Sequence, residues 1–350
     1  AASNPLAALI FACPLSPTGS GATTRIRIDE IWWDGDQGLS KPVKASSPSP
    51  AEGAADVSRD VILSWLPGPS AVLHDVYFGT SLDAVGAADR ANPQDVLAGL
   101  GQADSTFDPA GSLAFGQTYY WRVDEINAPP DATIFKGSVW SFTVEPVSYP
   151  VAKVTAIASS SNPGMGPERS ADGSGLNADG QHGTASDQMW LSAMGAPEPA
   201  WIQYALDGSY KLHRLLVWNS NQMMEPAVGV GAKNVTVEYS LDGAEWTVLG
   251  DFDFAKATAK ATYAANTVVP FDGAAARYVR LTVNSGYGMM GQFGLSEVRF
   301  LFVPAQAREP QPADGAVDVD PDVVLTWRAG REAVSHEVYL GSDPQSLTLV

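Results

Sequence analysis

The sequence predicts an all-β chain of tandem β-sandwiches, and three observations carry that prediction. Between Val154 and Val303, short runs rich in β-branched and aromatic residues recur at regular intervals: Trp201-Ile202-Gln203-Tyr204, Leu215-Leu216-Val217-Trp218, Val235-Thr236-Val237-Glu238-Tyr239 and Tyr278-Val279-Arg280-Leu281-Thr282-Val283. Turn signals such as Asp207-Gly208, Asp242-Gly243 and Asp272-Gly273 separate the runs, as in a sandwich of short strands. The third observation is a repeat. Pro310 to Trp327 matches Pro48 to Trp65, and the match continues without a gap to His336-Glu337-Val338-Tyr339-Leu340-Gly341 against His74-Asp75-Val76-Tyr77-Phe78-Gly79. A unit repeated on either side of a distinct central segment reads as a tandem array rather than one globular enzyme.

The totals agree. A chain of 350 residues has the length of two or three domains. Its 33 glycines, 25 prolines and 17% charged residues suit turn-rich β structure. The net charge of −18 is uneven: residues 48–146 hold 13 acidic and 4 basic side chains, residues 151–303 hold 14 and 10. That acidity disfavours nucleic acid and anionic membrane as partners and favours a self-repelling, soluble surface able to carry calcium. Cys13 is the single cysteine, so no intrachain disulfide forms and the redox compartment is not readable from it. No run approaches the roughly 20 apolar residues of a membrane span.

In chain order, Leu6–Ala12 is the one stretch with any signal-peptide character, but it is short and lacks a basic flank; Ile10-Phe11-Ala12-Cys13 loosely imitates a lipoprotein cleavage site. Thr24 to Trp33 alternates as one half-buried strand with no neighbouring partner strands. Residues 46–147 form a β unit with strand candidates Val61–Trp65, His74–Gly79, Thr118–Val123 and Val139–Thr143. Residues 151–303 are the central unit, and 308–350 begin the second copy with about three of its strands, expected to be marginal or to lean on a neighbour. Proline-rich joints at 42–50, 146–150 and 304–312 read as semi-rigid spacers.

Three resemblances follow. Gly19-Ser20-Gly21 with the Ile-Asp-Glu-Ile strand resembles the closing strand of a laminin-G-like jelly roll. Residues 1–40 are therefore expected to be the remnant of an upstream domain in a chain that starts mid-protein. Trp65 on an early strand and Tyr119-Tyr120-Trp121-Arg122-Val123 late in the unit resemble a fibronectin type III domain, in which such residues are core pieces; Asp83–Phe107 is longer than that family's usual connection. The central segment resembles the discoidin, or coagulation factor 5/8 type C, family, which includes galactose-binding-like carbohydrate modules. Ser170-Ala171-Asp172-Gly173, Met189-Trp190-Leu191-Ser192, Ala200–Leu206, Val237–Trp246, Ala276–Leu281 and Leu295-Ser296-Glu297-Val298 carry that likeness in order. The family's end-to-end disulfide is absent here. One scaffold serves sugars, lipids and proteins in this family, so the likeness implies a fold more than a ligand.

The long loop between Asp172 and Trp190 supplies oxygen atoms of the kind a hard cation needs. Asp172, an amide or carboxylate from Asn177 or Asp187, and Thr184 are the candidates, and the family resemblance adds Glu297. The expected ion is a structural Ca2+; the competing reading is a solvated Asx-turn at Asp172 and an ordinary surface Glu297. A sugar needs an apolar face and amide or charged partners. Trp218, Asn219, Asn221 and Gln222 on one loop, and Tyr287 and Gln292 on another, are the candidate carbohydrate-binding residues. The competing reading puts Trp218 in the core and uses the amides to cap turns. Met223-Met224 and Met289-Met290 read as exposed tips, or as pairs packed on each other.

Catalytic chemistry is thin. His74, His182, His213 and His336 are scattered, and His74 and His336 occupy one position of the repeat. Asp124 and Glu125, adjacent on a strand, face opposite ways. No Gly-x-Ser-x-Gly, HExxH or phosphate-loop pattern occurs, and no catalytic residues are assigned. The Asn234-Val235-Thr236 sequon falls in a strand. The sequence thus reads as a non-catalytic carbohydrate-binding module between fibronectin-like spacers, in a secreted or cell-surface, bacterial, multidomain protein. Its expected partners are a glycan and the other domains of a longer chain. The alternative is a structural or adhesive array whose central domain binds protein or another surface ligand.

Overall fold

The computed structural model describes residues 44–130, 132–196 and 199–350. The Thr24–Trp33 strand, Cys13, the Leu6–Ala12 run and the expected 1–40 remnant lie outside the described residues. The architecture is all-β: among the described residues, the two α-helices have six and four residues. The chain divides into two compact units, one holding Thr118–Thr143 with the described residues up to Ser112, the other Leu113–Gln117 with Val144–Val350.

In the first unit the strands are β1 (Ser46–Ser49), β2 (Ala54–Val57), β3 (Leu63–Leu66), β4 (Ala71–Gly79), β5 (Leu97–Gln102), β6 (Thr106–Phe107), β7 (Thr118–Asn127), β8 (Ile134–Phe135) and β9 (Val139–Val144). They build a sheet in the order β1-β3-β6 and another in the order β2-β9-β7-β4-β5, with β8 on β7. Alternation sets the face each side chain takes, and β4 and β7 are buried on both faces over His74–Tyr77 and Trp121–Ile126. Leu63 and Trp65 of β3, Val76 of β4 and Trp121 and Val123 of β7 are buried, and Trp121 lies 6.2 Å from Trp65 and 4.7 Å from Trp140. Asp124 and Glu125 do face different partners: Asp124 pairs with Arg122 at 2.8 Å, and Glu125 lies 3.2 Å from His74. The long connection after β4 folds as helix α1 (Leu82–Ala87), capped by Ser81, whose hydroxyl accepts from the Ala84 amide.

The central strands are β10 (Tyr149–Pro150), β11 (Val154–Ala158), β12 (Trp190–Leu191), β13 (Trp201–Asn219), β14 (Ala232–Ser240), β15 (Thr247–Asp253), β16 (Thr267–Pro270), β17 (Ala275–Gly286) and β18 (Gly294–Val303). They form one sheet ordered β10-β18-β13-β17-β14-β15, with β11 and β16 also on β13 and β12 on β18. Here the structure corrects an expectation. The runs Trp201–Tyr204 and Leu215–Trp218 are not separate strands divided by a turn at Asp207-Gly208 but the two halves of β13. The register shifts between Ala205 and Tyr210, a bulge that bends the strand while its pairing continues. The first half pairs with β11 and β17, the second with β16 and β18, so a single strand is central to both parts of the sheet. Ile202, Tyr204, Leu215, Val217, Val235, Val237, Val279, Leu281, Val298 and Phe300 point into one continuous core.

After β18 come β19 (Arg308–Gln311), β20 (Thr326–Arg328), β21 (Tyr339–Leu340) and β22 (Thr348–Leu349), as two two-stranded sheets.

Candidate functional site

Three loops of the central segment are held side by side. Helix α2 (Glu225–Val228) ends at Gly229, and the backbone of Tyr287-Gly288 lies directly on it: a Cβ at Gly288 would come within 2.0 Å of the Val228 carbonyl oxygen. The Tyr287 amide donates to the Gly231 carbonyl at 3.2 Å and the Gly294 amide to the Val230 carbonyl at 2.8 Å. The third loop joins through Ser192, whose carbonyl accepts from Gln292 Nε2 at 3.0 Å and whose hydroxyl accepts from the Phe293 amide at 3.0 Å. Glu225, fully buried, closes its own loop by accepting from the Val230 and Gly231 amides at 3.0 and 3.1 Å. Burial pushes its carboxyl above the usual value, against the pull of those amides and Lys256. The rim so built exposes Met194, Met223, Met224, Met289 and Met290. The methionine tips are therefore exposed and not packed away.

Of the six residues expected to meet a sugar, four are buried, which corrects that expectation. Trp218 packs with Ala257 and Tyr263, and its indole N–H donates to the Gly180 carbonyl at 3.0 Å. Asn219 spends its carboxamide N–H groups on the carbonyls of Ala232 and Ala255 at 2.7 and 2.9 Å. Asn221 donates to the carbonyls of His182, Gly183 and Lys260 at 3.0, 2.9 and 2.8 Å, pinning two loops to the end of β13. Gln292 is the buried strut to Ser192 already described. The physical reason is common to the first three: β13 runs to Asn219, so the side chains around its end lie under the crossing loops 176–183 and 255–265. Gln222 and Tyr287 are half-buried and remain at the rim. The Tyr287 hydroxyl donates to the Phe254 carbonyl at 2.7 Å, and Lys256 Nζ stands 5.6 Å from its ring centre. Sequence reading missed Met194, Glu225 and Lys256. Lys256 sits in an alanine-rich loop, and nothing in the sequence places it beside Tyr287.

Glu297 sits on β18 opposite Trp218 and is fully buried. Its Oε2 accepts from the Gly173 amide at 3.2 Å, which brings Asp172-Gly173 beside it. Burial pushes its carboxyl up to about 7; Arg299 and the Gly173 amide lower it, and Asp172 raises it further. Arg299 Nη2 lies 2.9 Å from Oε1, but that oxygen receives no directed hydrogen bond. Asp172 forms an Asx-turn, its Oδ1 accepting from the Ser174 amide at 2.8 Å. Glu297 is thus no surface residue, as the competing reading had it. His182, also buried, has an imidazole held below its ordinary value by burial, against Gly183, Gln188 and Asp172. The calcium expectation meets a mixed donor set. Glu297 with its unserved oxygen and the neighbouring Asp172 fit a hard cation, and half-buried Thr184 lies in the same loop. Asn177 does not fit: its Oδ1 already accepts from the Asp179 and Gln181 amides at 3.0 and 2.9 Å, in an exposed turn.

Residues 155–295 match the F5/8 type C domain family, and this segment carries that domain. No curated protein matches the chain. Similar solved structures include the module CBM32-3 of a family 31 glycoside hydrolase from Clostridium perfringens, at 21% identity, covering 45% of this chain and 95% of that one with a TM-score of 0.35. A family 32 module of Clostridium perfringens NanJ, in complex with galactose, is 14% identical over 44% of this chain and 98% of its own, with a TM-score of 0.34. CpGH89CBM32-5 from the same organism, in complex with GalNAc-β-1,3-galactose, is 18% identical over the same shares, also at 0.34.

Proposed function

We propose that the central segment is a non-catalytic carbohydrate-binding module whose ligand meets the rim of the three joined loops, carried on fibronectin type III-like spacers in a secreted or cell-surface protein. The observation that carries the reading is the rim itself. An F5/8 type C domain presents an exposed apolar surface beside Tyr287, Gln222 and Lys256, which pairs a C–H-binding face with hydrogen-bonding and charged groups. The β1-β3-β6 and β2-β9-β7-β4-β5 strand orders, with the packed Trp65, Trp121 and Trp140, support a fibronectin-like spacer at 46–147. Asp172, Thr184 and Glu297 would hold a Ca2+ ion, which when bound would add positive charge to that of Arg299 beside the buried carboxylate. Its role is structural, since it ties the 171–190 loop to β18.

Calorimetric titration of the full chain with galactose, GalNAc and a polysaccharide panel tests the reading, with calcium and again with chelator. Saturable binding that Tyr287→Ala weakens about tenfold or more supports it. Failure of every glycan to bind in the presence of calcium rejects it. The adhesive reading is favoured by one feature, the five exposed methionines, because thioethers adapt to irregular protein surfaces.

A further inference from the structure

The chain has seven methionines, and five of them are the exposed residues of the rim. Met165 and Met189 are buried; Met194, Met223, Met224, Met289 and Met290 stand in solvent, Met289 fully. Across loops 192–196, 220–231 and 287–293, every large apolar side chain that is exposed is a methionine. No Leu, Ile, Val, Phe or Trp joins them. An apolar surface for a sugar face or a protein needs area, which Leu or Phe supplies as well. What methionine alone brings is a polarisable thioether sulfur, a soft ligand.

The backbone sets these residues around two contacts. Met224 lies one turn before Val228, whose amide donates to its carbonyl at 2.9 Å, and Met289 follows Gly288, which is pressed on Val228. Met224 and Met289 therefore flank one contact, with Met223 next in the chain. The second contact extends the β12–β18 pairing of Trp190 with Leu295 and Leu191 with Gly294, as the Ser192 amide donates to the Phe293 carbonyl at 2.8 Å. Met194 is two residues past Ser192, and Met290 two before Gln292, whose carboxamide holds the Ser192 carbonyl. Leu191, Val228 and Val230 pack with Met165, so the loops share one apolar floor.

We propose that the methionine rim binds Cu(I), held by the thioethers of Met224 and Met289, with Met223, Met194 and Met290 supplying the further sulfurs. Thioethers select this soft cation over Ca2+ and Mg2+, which take oxygen ligands such as those of Asp172 and Glu297. Among the described residues, no group of three His, Cys, Asp or Glu side chains offers a metal an alternative. The unbranched methionine side chain has three rotatable bonds, so sulfurs from different loops can converge while the backbone stays in place. A thioether has no proton to lose, so binding is expected to be insensitive to pH where His and Cys sites weaken on acidification. Cu(I) binding of this kind stands whether or not the rim also meets a glycan.

The test uses the full chain carrying Cys13→Ser, which removes the one competing thiol, with methyl-labelled methionine and without oxygen. Cu(I) is presented on a chromophoric chelator whose absorbance reads its transfer to the protein, and the methionine methyl resonances show which sulfurs take it. The expected result is saturable transfer with shifts at Met224, Met289 and at least one further rim methionine, none at Met165 or Met189, and the same affinity at about pH 5 and about pH 7. Zn(II) in place of Cu(I) is expected to shift none of them. Changing Met194, Met223, Met224, Met289 and Met290 together to Leu keeps the apolar area and is expected to keep the thermal midpoint while weakening Cu(I) about tenfold or more. Met224→Leu and Met289→Leu, made singly, are expected to weaken it in the same direction. Four results overturn the proposal: no transfer of Cu(I), shifts confined to the buried methionines, shifts of equal size with Zn(II), or affinity undiminished in the Leu variants.

Discussion

Trp218 and Tyr287 look alike in the sequence, each an aromatic at a strand end beside amides, yet their surroundings give them opposite roles. Trp218 is a core residue, so Trp218→Ala is expected to cost about 3–5 kcal/mol of stability and lower the urea midpoint of the chain. Ligand affinity per folded molecule should be kept; a variant of wild-type stability with lost binding would contradict that placement. Tyr287→Phe removes only the bond to the Phe254 carbonyl and should cost about 1 kcal/mol, leaving the ring and the affinity in place. Aromatic and amide identity was legible in the sequence, but accessibility was not. The partners that bury Asn219 and Asn221 are carbonyls of residues 182, 183, 232, 255 and 260, none of which announces itself as a partner. The family likeness drew attention to Glu297, which is buried against the Gly173 amide, whereas Asn177 spends its Oδ1 on its own turn, because an Asx-turn and a metal ligand draw on the same residue type.

At the scale of elements, strand positions followed from alternation: Val235 and Val237, or Val279 and Leu281, had to share a face, and they do. Strand continuity did not follow. Asp207-Gly208 reads as a turn, but Tyr210 donates to the Asp207 carboxylate at 2.8 Å across the bulge and β13 carries on, because both halves have partner strands waiting. The rim loops depend on an equally unadvertised contact, the approach of Gly288 to Val228. Gly288→Ala would drive a Cβ into the Val228 carbonyl, which is backbone and cannot rotate away. The expected outcome is a loss of about 1–3 kcal/mol and a displaced rim. Chemical-shift changes in amides 222–231 and 286–292 would report that displacement, and glycan affinity should fall with it. If the variant keeps both affinity and shifts, the two loops are not coupled.

At the scale of the whole chain, the repeat was legible because its spacing never varies, but the anchor of the second copy was not. Glu145 Oε2 lies 2.8, 3.0 and 2.9 Å from guanidinium nitrogens of Arg308, Arg328 and Arg331, and Arg331 also donates to the carbonyls of Pro146 and Val147. None of these residues has a counterpart in the first copy's spacing: Arg328 and Arg331 align with Leu66 and Pro69. Burial alone would raise the Glu145 carboxyl; the hydrogen bond from Arg331 and the charges of Arg328, Arg331 and Arg308 outweigh it and hold the group below the ordinary carboxylate range. A lowered value means the folded state gains from the ionised form. That stabilisation is complete above the unfolded value, roughly pH 4.3, and is lost as the pH falls through the folded one. Glu145→Gln should therefore destabilise the chain by about 2–4 kcal/mol at pH 7, since three arginines then lose the negative charge they share. Urea unfolding of both chains from pH 7 to pH 3 should show the gap between them closing as wild type is acidified. A gap that stays constant across that range would mean the three guanidinium groups draw nothing from the charge of Glu145, and that packing of Arg331 on Phe115, at 4.5 Å, holds the segment instead.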